Sequence, residues 1–159
     1  MKKIFKTVLF TVTISLFFIL AGCSKSGDSN TTVNFTKTQL LTKADWIQTG
    51  SDTKLTTETV WTDNFARNSA CSKDDRIVFR ANGTFEINEG PTKCSPSDPQ
   101  IQETGTWSFA QNETVFFITI SGQQSDNFTI VTLTTDLLVF TRTDTYNGIT
   151  REFKETFRH

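Results

Sequence analysis

From Trp46 to the C-terminus, apolar and polar residues alternate in short runs rich in Thr, Val, Ile and Phe, broken by Gly, Asn, Asp and Ser. A period of two bounded by turn-forming residues is the pattern of half-buried strands. It predicts strands over 46–49, 58–61, 76–80, 84–88, 104–109, 114–120, 127–133, 137–143 and 149–157. The sharpest turn is Asn82-Gly83, because a tight hairpin needs residues that tolerate positive φ. Residues 63–70 break the alternation and are expected to form one or two helical turns, with Asp63 as N-cap and Phe65 pointing inward. The connections are too short for crossover helices, so the strands form an antiparallel meander. About eight strands must split into two sheets or close on themselves, and closure removes the aggregation-prone edges. The expected fold is all-β, a meander of about eight strands closed into a barrel. Phe79, Phe85, Trp107, Phe117, Phe128 and Phe153 are the large inward candidates, enough to fill most of the interior.

The first 22 residues follow a different pattern. Lys2, Lys3 and Lys6 precede an apolar run over 7–20, and Leu20-Ala21-Gly22-Cys23 then places small residues before a cysteine. This is the layout of a bacterial lipoprotein signal: a basic region, a short apolar region and a lipobox. The run is too short and too diluted by Thr11, Thr13 and Ser15 for a spanning helix, which needs about 20 predominantly apolar residues. The expected division is a signal peptide over 1–22, a lipid-anchored tether over 23–39 and a barrel domain over 40–159. Cys23 is the expected lipid attachment point. Two or three acyl chains, each burying methylenes at about 0.8 kcal/mol apiece, make the hold effectively permanent. Ser24 rather than Asp after the cysteine follows the sorting pattern of outer-membrane lipoproteins, with the leaflet undecided. The stretch Ser24 to Thr32 is small and polar, a composition that does not order itself.

Charge narrows the function classes. The chain carries 16 basic and 17 acidic side chains, and loss of the three leader lysines leaves a mature net charge of −4. Nucleic-acid binding needs a clustered basic surface, and no dense Lys/Arg run is present.

The three cysteines divide as one plus two. Cys23 goes to lipid, and an oxidising envelope allows Cys71 and Cys94 to form a disulfide. Closing that loop contributes roughly 3.5 kcal/mol by the chain-entropy relation. A thiol metal site is the alternative, but His159 is the single histidine and there is no C-x-x-C spacing. Asp74, Asp75, Glu89 and Asp98 only loosely suit calcium, which wants several oxygens from one short segment. Without a placed histidine a Ser-His-Asp arrangement is unavailable, and no glycine-rich phosphate loop occurs. The chain is therefore expected not to be an enzyme, and no cofactor or metal is implied.

Ala70-Cys71-Ser72-Lys73-Asp74-Asp75, then Phe79 with Asn82-Gly83-Thr84-Phe85, the run Glu89 to Gln100, and Glu103-Thr104-Gly105-Thr106-Trp107-Ser108 closely resemble the lipocalin-like lipoproteins of Bacteroidetes cell envelopes. The likeness extends more loosely over Trp46 and the C-terminal strands. It implies a lipocalin-like barrel on a lipid anchor, in a family whose activity is largely undefined. Lipocalins proper open their first strand with Gly-x-Trp, where this chain has Ala44-Asp45-Trp46. The resemblance further implies an arginine of the last strand, Arg151 or Arg158, packed across Trp46.

In the last strand Ile149, Arg151, Phe153, Glu155 and Phe157 share one face. If it points inward, Arg151 and Glu155 stand about 13 Å apart along the strand, so each needs another partner. A bulge or a strand end protruding into water would free them from that need. As an inward face, it suggests a barrel-mouth site in which Arg151 meets the anionic head of a lipid-like ligand, with Glu155, Trp107 and Phe153 as further candidate ligand-binding residues. The expected function is an envelope lipoprotein that binds a small apolar or lipid-like ligand, or serves as a structural envelope component. The alternative is an interaction or inhibitor module acting through the disulfide-tied loop 90–100, which Pro91, Pro96, Pro99 and Cys94 stiffen.

Overall fold

The alternating segments pair with their neighbours in sequence in a computed structural model that describes residues 34–123 and 125–159. Cys23, the expected leader and most of the expected tether lie outside the described residues. The elements are α1 (Lys37–Leu41), β1 (Trp46–Leu55), β2 (Thr62–Asp63), the 3-10 turn η1 (Phe65–Arg67), β3 (Arg76–Phe79), β4 (Thr84–Asn88), β5 (Ile101–Ala110), β6 (Val115–Ile120), β7 (Asp126–Leu133), β8 (Leu137–Tyr146) and β9 (Ile149–Arg158). Around the sheet the order is β2-β1-β3-β4-β5-β6-β7-β8-β9, and β1 also pairs with β9. Eight antiparallel strands thus close a barrel, as the alternation predicts. The ninth, β2, is a two-residue addition to the β1 edge at Asp52↔Asp63 and Thr53↔Thr62.

Two local expectations are corrected. The strand expected at 58–61 is replaced by a turn: the Glu58 N–H donates to Leu55 O at 2.9 Å, and the Glu58 carboxylate accepts from the Leu55 N–H at 3.2 Å. The helical segment expected at 63–70 contracts to η1. Its N-cap is Asn64, which makes no side-chain capping bond; Asp63, one residue earlier, still accepts from the Ala66 N–H at 3.2 Å, and Phe65 lies half-buried beneath the Lys73 ammonium rather than in the core.

β1 runs on to Leu55 through the polar stretch Gly50 to Lys54, because β9 supplies partners along its whole length. Asp52 faces Lys154 and Lys54 faces Glu152 across that seam, with ion pairs at 2.9 and 3.2 Å. Lys154 and Lys54 also lie over the Trp61 ring, 4.6 and 4.9 Å from its centroid respectively, so the indole of the incoming turn covers the joint where the barrel closes.

The barrel's centre is filled by rings. Leu41, Trp46, Phe79, Phe85, Trp107, Phe116, Leu138, Phe140 and Phe157 are buried. Neighbouring rings run across the interior from Phe79 to Phe116 at 5.3 Å, Phe116 to Phe140 at 6.4 Å and Phe140 to Phe157 at 5.3 Å. Phe116, not Phe117, points inward. Phe109 pairs with Phe116 while Ser108 pairs with Phe117, and the inward Trp107 and Phe109 place Phe117 on the outer face. Gly105 makes one close contact possible: a Cβ there would stand 2.6 Å from the Phe85 ring and 2.1 Å from Thr119 O.

One end of the barrel is shut. Helix α1 carries a capping box at Thr36 and Gln39, lays Leu41 against the core, and sends Lys37 Nζ to Glu113 O in the β5–β6 turn. Trp46 is 0 % exposed, and its indole N–H donates to Leu41 O at 2.8 Å. The ring that covers Trp46 is His159, 3.9 Å away, in place of the arginine the resemblance implies. Arg158 instead reaches Asp136 at 3.7 Å, and Arg151 lies at the opposite end of β9.

Candidate functional site at the barrel mouth

The opposite end is ringed by the 56–61, 64–75 and 89–100 connections, residues 121–123 after β6 and the Asn147-Gly148 turn. Here β8 and β9 project as a hairpin. Cross-strand pairing sets Arg142 opposite Phe153, Asp144 opposite Arg151 and Tyr146 opposite Ile149. Since Leu138 opposite Phe157 is in the core, the period of two carries all these side chains onto the inner face. Asp144, Tyr146, Asn147, Ile149, Arg151 and Phe153 line a cavity of about 220 Å3 there.

The last-strand residues singled out from the sequence are thus gathered on one inner face, each with a different partner. Glu155, nearest the core, accepts from Gln48 Nε2 at 2.5 Å and from Ser51 Oγ at 3.1 Å, the partners that the distance to Arg151 required. Phe153 lies under the Arg142 guanidinium at 4.4 Å. Arg151 is exposed at the mouth, and among the described residues neither it nor the facing Asp144 makes an ion pair. Trp107 is not brought to this group. It sits in the core with its indole N–H donating to Arg80 O at 3.0 Å and Thr84 O at 3.1 Å, binding β5 to the β3–β4 hairpin. Arg142 and Asp144 are additions that the sequence reading did not single out. Asn147-Gly148 was the signal that could have found them, because it fixes the hairpin register that places both residues inside.

Burial raises the Glu155 carboxyl above its ordinary value of 4.5; the Ser51 and Gln48 hydrogen bonds and the Arg142 charge oppose that rise, and Asp52 adds to it. A group that binds its proton more tightly when folded adds stability that is complete below the unfolded value and is lost as pH rises through the folded value. Glu155→Gln keeps the hydrogen-bonding shape without the charge. It is expected to flatten the fall of the unfolding temperature just above pH 4.5 and to leave the domain at least as stable at pH 7. Thermal unfolding followed across pH checks this, and an unchanged profile would show that the ionisation of Glu155 is not felt by the fold.

A second polar group lies beside the disulfide between Cys71 and Cys94, whose Cα atoms are 5.1 Å apart. Glu89 is only 4 % exposed and accepts from the Cys94 N–H at 3.3 Å and from Gln102 Nε2 at 2.5 Å. The same Gln102 amide reaches Asp75 at 3.4 Å. Burial first, and then the Glu89 charge, raise the Asp75 carboxyl above its usual range. Asp98 turns back to the Ser95 N–H at 3.1 Å. Of the carboxylates considered for calcium, Glu89 and Asp75 share the Gln102 amide while Asp98 is held within its own loop, and no group of three or more metal-type ligands forms among the described residues.

In comparison with known proteins, a family model described as a lipocalin-like domain matches residues 21–140. No curated protein matches the chain.

Proposed function

Since the chain belongs to the lipocalin-like domain family, we propose that it is an envelope lipoprotein, of the kind found in Bacteroidetes, that holds a small, partly apolar ligand at the barrel mouth. In this reading Cys23 carries the lipid, residues 1–22 are removed as the signal, and the anchor lies in the outer membrane. The observation that carries the binding role is the mouth cavity, where the Phe153, Ile149 and Tyr146 side chains offer apolar surface beside the Arg151 and Asp144 charges. Ligand sites usually pair an apolar lining with a few placed polar groups. At about 220 Å3 the cavity is smaller than the common range of about 300–1,000 Å3. The ring-filled interior leaves the bulk of any larger ligand outside, so a charged head or one short segment enters. The role is binding rather than catalysis.

The test compares a fluorescent long-chain fatty acid with a matching long-chain alkylammonium on the lipidated protein. Arg151→Ala is expected to weaken the fatty acid about tenfold, the scale of one lost hydrogen bond to a charged group, and to spare the alkylammonium. Failure of both probes to bind the unaltered protein would sink the reading.

One observation favours the second reading, an interaction module acting through loop 90–100. That loop is held by its own bonds, Lys93 Nζ to Asp98 O at 2.7 Å, Asp98 N–H to Ser95 O at 3.0 Å and Gln100 Nε2 to Gly90 O at 3.0 Å, so a partner would pay little ordering entropy. Equal recovery of envelope partners after residues 95–100 are replaced by Gly/Ser would dismiss it.

A further inference from the structure

The outer half of β8 has no strand on one side. Pairing between β7 and β8 stops at Thr129↔Thr141, whereas β8 and β9 stay paired to Tyr146↔Ile149. The turn between them, Asn147 at φ 50 and Gly148 at φ 76, is the two-residue kind, whose flanking pair exchanges both backbone hydrogen bonds. Tyr146, Asp144 and Arg142 therefore turn their backbones toward β9, and Thr143 and Thr145 turn theirs toward the open edge. Among the described residues nothing accepts or donates there. At the tip Tyr146 is 77 % and Ile149 52 % exposed.

We infer that this edge receives an extended, basic polypeptide segment by strand addition, whose inward side chain lies against Asp144 in the mouth cavity. The inference rests on the mouth as a binding site and adds to the small ligand a second, polypeptide class of ligand there. A strand bonded to Thr143 and Thr145 gains its affinity from main-chain hydrogen bonds and its specificity from alternate side chains. The residue between its two bonded positions stands directly opposite Asp144 and points into the cavity. Arg151 and Arg142 stand beside Asp144 on this inner face, but carboxylates outnumber them around the mouth. Glu103 pairs with Ile87 and Asp126 with Ile118, and both isoleucines pack on the core, so the two carboxylates share the inner face with Asp144. Inward charges such as Arg142 and Asp144 guard an edge against indiscriminate pairing; here the same charges select what pairs.

A second copy of the chain fits poorly. Pairing two such edges through Thr143 and Thr145 of both sets Asp144 against its own counterpart, and like charges directly opposite destabilise. Centring the pair on Thr143 instead brings Thr145 opposite Thr141, whose edge already pairs with Thr129.

The experiment uses the full lipidated protein in nanodiscs and a fluorescent heptapeptide of alternating Val and Lys, followed by anisotropy. Lysines facing the cavity leave the valine N–H groups to bond the edge. The lysine peptide is expected to bind roughly tenfold or more tightly than its Val/Glu counterpart, and N-methylation of the valines is expected to cost at least as much at unchanged charge. Thr145→Pro removes an edge donor without breaking a backbone bond of the β8–β9 hairpin, losing only the Thr145–Thr150 hydroxyl contact of 2.9 Å; it should weaken binding beyond Thr145→Val, which loses that hydroxyl contact alone, while Asp144→Lys should shift the preference to the Val/Glu peptide. Equal binding of the N-methylated peptide, or no loss in Thr145→Pro, would reduce the effect to simple charge attraction and overturn strand addition. Self-association abolished by Thr145→Pro would overturn it in favour of a second copy. A lysine peptide that fails while the fatty acid still binds refutes this inference alone; the reverse result refutes the small-ligand reading alone.

Discussion

Trp46→Ala is expected to destabilise the domain by about 3–5 kcal/mol, the range for emptying a large aromatic site in a packed core. Trp46 is fully buried, so its removal leaves a void at the closed end that a sheet held from both sides cannot collapse. It also frees a carbonyl. Leu41 ends α1, where helix carbonyls lack intrahelical donors, and the Trp46 indole supplies one at 2.8 Å. His159 would lose the ring it stacks on, although its Nδ1 contact with Asp45 O at 2.8 Å would remain. Trp46→Phe separates the two contributions: it retains most of the apolar area, loses the donor, and should cost about 1–3 kcal/mol for the orphaned carbonyl together with the missing volume. Denaturant unfolding of both variants measures this. A Trp46→Ala loss below about 1 kcal/mol would mean that α1 does not close the barrel through this residue.

Replacing Cys71 or Cys94 with Ser is expected to cost about 2–5 kcal/mol, as for other native disulfides in small domains. The bond spans the entrance to β3 and the β4–β5 connection, so its loss releases the 64–75 and 89–100 segments together. The buried Glu89, which accepts from the Cys94 N–H, would then face water-exposed alternatives. Cys23→Ser is expected to act differently, releasing a folded domain from the membrane with unchanged unfolding. Fractionation and denaturant unfolding of the three variants distinguish the roles. Free thiols at both Cys71 and Cys94 in protein taken from the envelope under alkylating conditions would overturn the disulfide assignment there.

These two effects differ in how far the sequence anticipated them. The cysteine pairing was legible because only two cysteines remain once Cys23 is assigned to lipid. The importance of Trp46 was legible as burial, but its covering partner was not. His159 is a terminal residue with no pattern around it, and only the return of β9 alongside β1 brings it over the indole.

The site shows the same division. Alternation along 149–157 placed Arg151, Phe153 and Glu155 on one face, because a strand's period of two is a local property of the backbone. It left open whether that whole face was inside, and although Trp107 was among the inward candidates, nothing local showed that its N–H is already used by Arg80 O and Thr84 O, since both depend on which strands lie alongside. Phe116 and Phe117 make the point at the scale of one residue. The two are chemically identical, and a shift of one position in the β5–β6 register exchanges core for surface.

By itself the sequence determined the strand-forming segments other than the turn at 58–61, the antiparallel order, the closed barrel and the disulfide. These follow from residue periodicity and short connections, which act over a few neighbouring positions, and from a count of cysteines that leaves one possible pair. Only the tertiary structure decided the inward face of β9, the shut end beneath α1, the partners of Glu155 and the open outer edge of β8. Each of these is set by where one strand stops pairing relative to the next, and that depends on side chains distant in sequence competing for the same interior volume.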